Sequence, residues 1–281
     1  MNTILKKKPL KLLLFCFIVL FIPKIKAQNE NSLLQDSIIR MDTNDKVVWD
    51  MSFSLKTMNV FRGLLPSKAP VFSTLAGVKY GEFVLGFYGG ASFNGGYSET
   101  DLILMYYKPK YNIRLDWYYN YTQGITNIPT PSGFFDLNPE ITRGILDFMV
   151  NVQLTKHLDL TSSTFIFGRD RPSLAEDDAN DILLRRGEQR YSQYINLQYT
   201  WKLKNTKIQA HAGYSFSWND IGGPSFYGNK PGFNDLGVSF YKTIIDTKNI
   251  SIPFKASIYV NPLSNDVYLV GSILLLDLIK V

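Results

Sequence analysis

The chain has 281 residues, a formal net charge of +6 and 14% aromatic side chains, and its single cysteine is Cys16. Six lysines and no acid fall within residues 1–27, so the remainder carries 24 basic and 24 acidic residues. That balance excludes a nucleic-acid reading of the basic pI, and the lack of cysteine after residue 27 excludes a disulfide framework or a thiolate metal site there.

The chain opens with Lys6, Lys7, Lys8 and Lys11, then an apolar run from Leu12 to Ile22, then Lys24 and Lys26 before Ala27. A basic start, a short apolar core and a small residue before a polar stretch predict a secretory signal peptide over 1–27. The apolar run is too short for a spanning helix, which needs about 20 residues. Phe15 before Cys16 does not fit a lipidation signal. Residues 28–45 are polar and are expected to form a periplasmic leader, with a short docked helix as the competing reading because Leu34, Ile38 and Met41 fall at helical spacing.

From residue 46 to the C-terminus the pattern has a period of two, which predicts strands because successive side chains point to opposite faces. The first strand sets Trp49, Met51, Phe53 and Leu55 against Asp50, Ser52, Ser54 and Lys56. A second strand is expected over about 71–80, a third from Phe83 to Phe93, and a fourth with Asp101, Ile103 and Met105 inward. The fifth is the clearest: Tyr111, Ile113, Leu115, Trp117, Tyr119 and Tyr121 share one face, Asn112, Arg114, Asp116, Tyr118 and Asn120 the other. The sixth places Leu146, Phe148, Val150 and Val152 against Asp147, Asn151 and Gln153. The seventh is ambiguous, because Leu158 and Leu160 lie on one parity and Phe165 and Phe167 on the other. Strands eight to eleven alternate over about 190–202, 207–218, 236–240 and 250–261. The twelfth, 267–281, is apolar on both parities, and Asp277 falls on the outward one.

A strand with one apolar and one polar face fits a soluble sandwich or a transmembrane barrel. The connections discriminate. Segments 63–70, 94–98, 122–139, 169–187, 219–231 and 262–265 are mostly long and rich in Pro, Gly and Asn, whereas the alternate turns at 81–82, 109–110, 156–157, 205 and 247–248 are short. Bacterial outer-membrane barrels have long outside loops, short inside turns and an even strand number. With that orientation Trp49, Tyr106, Tyr111 and Trp201 fall near one end of the outward face, and Phe61, Phe93, Tyr121, Tyr191 and Trp218 near the other, as two aromatic girdles. The expected fold is all-β: a transmembrane antiparallel up-and-down barrel of about twelve strands over 46–281. It would sit in the bilayer of a Gram-negative outer membrane after export and insertion by the barrel-assembly machinery.

Chemistry is sparse. No converging metal ligands or cofactor motif are visible, and the two histidines, His157 and His211, stand apart. Ser215 and Ser217 share a face with His211, which raises a phospholipase-type reading, but that spacing on a strand does not make a hydrogen-bonded triad, so no enzyme is expected. The acidic run Glu176-Asp177-Asp178 reads as a solvated loop balanced by Arg185 and Arg186. The expected pore-lining residues are Lys56, Arg62, Asp101, Arg114, Asp116, Asp147, Arg190, His211 and Lys255. Opposite charges of this kind can pair and plug a lumen or line a narrow aqueous path. The many inward Ser, Asn, Gln and Gly favour a narrow channel for small polar solutes or ions, with a closed structural or surface-interaction barrel as the alternative.

The segment Asn59-Val-Phe-Arg62-Gly63, then Pro70-Val-Phe, then Gly81-Glu-Phe-Val-Leu-Gly-Phe-Tyr-Gly-Gly90, then Glu99-Thr-Asp101 before Tyr106-Tyr107, resembles the TorF-type family of outer-membrane porins over about residues 47–121. The resemblance implies the barrel fold and the outer membrane, and no particular cargo. The C-terminus departs from it in lacking a terminal aromatic. Physically, Arg62 at a strand end and Glu99/Asp101 nearby are expected to form an ion pair that pins the first loops.

Overall fold

The computed structural model describes residues 47–122, 132–174, 185–204, 206–246 and 251–277. The expected signal and leader, 1–27 and 28–45, and the acidic run 176–178 lie outside the described residues.

Twelve antiparallel strands close into one barrel: β1 (Val48–Lys56), β4 (Val71–Tyr80), β5 (Phe83–Ser92), β6 (Ser98–Lys108), β7 (Tyr111–Asn120), β8 (Gly144–Gln153), β9 (Leu158–Gly168), β12 (Ser192–Leu203), β13 (Thr206–Ser217), β14 (Gly232–Asp246), β15 (Ser251–Asn261) and β16 (Asp266–Asp277). Neighbours in sequence are neighbours in the wall, and β1 pairs with both β4 and β16, which leaves no open edge. Two short hairpins stand outside the wall, β2 (Asn59–Phe61) with β3 (Leu64–Ser67), and β10 (Ser173–Leu174) with β11 (Arg185–Arg186).

The alternation does what the sequence predicts. On β7 the even positions are sheltered in the lumen, while Tyr111, Ile113 and Leu115 stand outward and exposed. The outer surface is apolar at mid-strand: Leu85 is 59% exposed, Ile258 52% and Leu269 69%. Water would make such a belt costly, at roughly 25 cal/mol per Å² of apolar area, whereas hydrocarbon would not. Aromatics flank the belt, with Trp49 and Tyr111 toward the short-turn end and Phe93, Tyr121, Tyr191 and Trp218 toward the long-loop end. Phe61 is a correction to that girdle. It belongs to β2, inside the lumen, where its ring meets Tyr118 edge-on at 5.5 Å.

β-bulges account for the two strands whose parity was unclear. Opposite β8, the pairing steps from Leu146↔Phe167 to Asp147↔Phe165, so Ile166 is the extra residue on β9. Leu158, Leu160 and Phe167 therefore lie outward, while Phe165 turns inward and is fully buried. Opposite β1, the pairing steps from Ser54↔Leu274 to Phe53↔Leu276, which makes Leu275 the extra residue on β16. Asp277 is thereby paired with Ser52, a position of the inward row, rather than continuing the outward row that strict alternation from Ile273 assigns it.

One long loop leaves the lumen alone and covers the wall. Segment 132–143 folds over the outward face of β7, where Trp117 Nε1 donates to the Phe134 carbonyl at 3.0 Å and the Tyr119 hydroxyl donates to the Ser132 carbonyl. Trp117 and Tyr119 are buried as a result, although they share the outward parity of exposed Leu115. The indole lies across Gly144, where any Cβ would strike the ring.

Candidate functional site: a hairpin across the lumen

The first long loop turns inward. Phe61 pairs with Leu64 around Arg62-Gly63, and both turn residues have positive φ, 49° and 76°, the signature of a type I′ hairpin. Such a turn matches strand twist but strains any residue with a Cβ, so Arg62 is held there by its contacts.

Those contacts run to both walls of the barrel. Arg62 Nη2 meets Asp147 Oδ2 at 2.6 Å on β8, and Arg62 Nη1 donates to the Tyr227 hydroxyl at 2.7 Å. The guanidinium also lies 4.7 Å from the Phe61 ring centroid, 5.2 Å from Tyr194 and 5.6 Å from Phe165. On the opposite wall Asn234 Nδ2 donates to the Arg62 carbonyl at 2.7 Å, and Asn261 Nδ2 donates to the Gly63 carbonyl at 3.0 Å. Asn234 is itself the extra residue of a bulge, since Gly213 pairs with Asp235 and Tyr214 with Phe233. A Cβ on residue 63 would collide with the Asn234 carbonyl oxygen, so only glycine permits the approach.

Arg62 thus pairs with Asp147 and not with Glu99 or Asp101, which corrects the expected pin. The reason lies in the register. Asp147 faces Asp116 directly across β7 and β8, and two buried carboxylates side by side need two cations. Arg114 supplies one, with Nη2 2.5 Å from Asp116 Oδ2, and Arg62 supplies the other. The Tyr118 hydroxyl sits 3.1 Å from both carboxylates and donates to one of them at a time, and Ser163 Oγ donates to Asp147 Oδ1 at 2.6 Å. The cluster is neutral, and every member has a partner.

The hairpin does not fill the lumen. On its short-turn side lies a cavity of about 410 Å³, lined among others by Lys56, Asp101, Arg114 and Asp116 above an apolar floor of Leu75, Val84 and Met105. A second, of about 170 Å³, holds Lys255, whose Nζ lies 3.4 Å from the Tyr259 hydroxyl and over the Tyr241 ring. A third, of about 270 Å³, opens on the long-loop side against Leu64, Ile145, Phe165, Arg169 and Phe226. The first and third share Phe61, Glu99 and Tyr118 in their linings.

Of the expected pore residues, Lys56, Arg62, Asp101, Arg114, Asp116 and Lys255 line these spaces. Asp147 is spent on the hairpin. His211 faces inward but lines none of the three; its Nε2 is 3.0 Å from Asp235 Oδ1, which is part of a pair that also takes the Tyr194 hydroxyl at 2.8 Å. Arg190 is a correction: β12 begins at Ser192, after Tyr191 at φ 51°, and Arg190 lies in the connecting loop, lining none of these cavities. The inner face is also bulkier than its Ser and Asn suggest, with Tyr88, Ile103, Met105, Met149 and Phe165 turned inward. Sequence reasoning missed Glu99 as a residue that lines two cavities and Arg169 altogether. The apolar pairs around Arg62-Gly63 were the available signal for the hairpin.

A cationic group rims the long-loop end. Arg143 Nη1 donates to the Tyr121 carbonyl, Arg171 Nη1 to the Gly187 carbonyl, and Arg186 Nη1 to the Pro139 and Thr142 carbonyls. None of the three is within ion-pair distance of a carboxylate among the described residues. Burial pulls the Arg169 guanidinium down to about 10, which leaves it charged at neutral pH. The same loop holds Asp170, which accepts from Ser192 N at 2.7 Å and Ser192 Oγ at 2.8 Å; burial pushes its carboxyl above the usual range.

No family model matches the chain, and no curated protein matches it. A solved structure titled "Unveiling the Mechanism Behind the in-meso Crystallization of Membrane Proteins" aligns over 81% of this chain and 83% of its own, at 6% identity and a TM-score of 0.41. Salmonella typhi OmpF in complex with daunomycin aligns over 83% of this chain and 98% of its own, at 8% identity and a TM-score of 0.32. At those scores neither alignment carries an argument, and the fold rests on the strand pairing.

Proposed function

We propose that this chain is an outer-membrane barrel that passes small polar solutes or ions along a narrow path beside its lumenal hairpin. The observation that supports it most directly is a shared lining: cavities on the two sides of the hairpin both border Phe61, Glu99 and Tyr118. Export by an N-terminal signal, insertion by the barrel-assembly machinery of a Gram-negative bacterium and kinship with TorF-type porins belong to the same reading. So does the lack of catalysis, since the His211 ring is engaged by the Asp235 carboxylate. The test is single-channel recording of the refolded protein in a planar bilayer. Small discrete steps are expected from the native chain, and larger ones from Phe61→Ala, which removes a ring that borders both cavities. A closed barrel is the second reading, favoured by the latch to both walls. Silence from both chains, with folding verified by heat-modifiable gel mobility, would decide for it.

A further inference from the structure

Arg169 and Glu99 present opposite charges to one cavity without touching. Arg169 keeps Nε and Nη1 shielded from solvent and without a hydrogen-bond partner, although buried guanidinium donors nearly always have one. Its guanidinium lies 5.6 Å from the Phe226 ring centroid, and no carboxylate of the described residues lies within ion-pair distance. Glu99 accepts from Asn120 Nδ2 at 2.9 Å, and among the described residues it forms no ion pair with Arg169 or Lys56. Between them lies the cavity of about 270 Å³, whose walls are Leu64, Leu65, Ile145, Phe165 and Phe226.

This space is bipolar, with a guanidinium and a carboxyl in one lining. Arg143 and Arg186 add positive charge around Arg169, and Asp101, on the same row of its strand as Glu99, adds negative charge there. A solute with a single charge is attracted by one of these groups and repelled by the other. A solute carrying both charges gains at each end. The apolar wall between the poles takes a hydrocarbon group.

We propose that the cavity between Arg169 and Glu99 is a binding site for a zwitterionic, α-amino-acid-like solute with an apolar side chain, its carboxylate on the Arg169 guanidinium and its ammonium on Glu99. The site rests on the reading above that small polar solutes pass through the lumen, and it names their class. It requires no covalent step.

The test uses the full folded barrel in detergent micelles and four probes: L-leucine, isoamylamine, 4-methylpentanoate and glycine. Saturation-transfer NMR is expected to show leucine binding, with the amine, the acid and glycine each weaker by on the order of tenfold, because each leaves one buried pole or the apolar wall unanswered. Arg169→Gln and Glu99→Gln should each weaken leucine by a similar factor. Glu99→Gln should also strengthen 4-methylpentanoate, a gain that a merely structural residue would not give. Equal signals from leucine and its three analogues would overturn the site, as would variants with unchanged leucine binding; should a variant fail to fold, the native protein's probe series still decides. Conductance is recorded separately. Channel steps without leucine binding overturn this inference alone, whereas leucine binding in a silent barrel overturns the channel and leaves the site.

Discussion

Asp147 is the residue on which the lumen turns. Fully buried, it holds Arg62, and its loss leaves a guanidinium without its counter-charge in a low-dielectric interior. Asp147→Ala is expected to cost about 3–5 kcal/mol, read from urea unfolding in micelles, if the hairpin stays docked. An undocked hairpin would lower that cost and raise the conductance instead. Gly63→Ala tests the other side of the latch. The new Cβ meets the Asn234 carbonyl at φ 76°, so the hairpin should leave its seat and channel steps should grow while the wall keeps its heat-modifiable mobility. Unchanged steps would mean that the hairpin does not set the width. These roles were only partly visible in the sequence. Arg114 and Asp116 were legible because they share a strand face. The Arg62–Asp147 pair joins residues 85 positions apart, and nothing local announces it.

At the scale of the element, alternation was readable wherever a strand ran unbroken, as on β7, and misleading wherever a bulge intervened. Ile166, Asn234 and Leu275 each insert one residue, and each exchanges the faces of everything beyond it. No residue type marks such a point in advance, which is why Phe165 and Asp277 read as misfits. The loop before β12 carries a prediction in pH. The carboxyl of Asp170 is raised in the folded state, so its contribution to stability is full below the ordinary value near 3.8 and is lost as pH rises through the raised one. Thermal unfolding of the native chain should therefore shift upward on acidification relative to Asp170→Asn, which has no proton to bind there. Parallel pH profiles for the two chains would refute the assignment.

At the scale of the molecule, the apolar belt and its aromatic rims predict depth in a bilayer. Of single-tryptophan variants, those keeping Trp49 or Trp218 should be quenched by lipids with a label near the headgroup, and little by a label at the chain end. The variant keeping Trp117, sheltered under the 132–143 loop, should be quenched least of all. Uniform quenching at mid-depth would contradict the vertical placement of the strands.

The latch also bears on the order of assembly. Its tip is made from residues 62 and 63, early in the chain, yet its receptors, Asn234 and Asn261, lie on the third- and second-last strands. The Asn261–Gly63 bond closes a loop of 198 residues. Contacts of such separation form late, because the entropy of closing the intervening chain must be met first. The hairpin consequently waits, undocked, until nearly the whole wall exists, and its seating marks a completed barrel. In refolding kinetics it should appear as a slow final phase that Gly63→Ala abolishes and that leaves the formation of strand structure untouched.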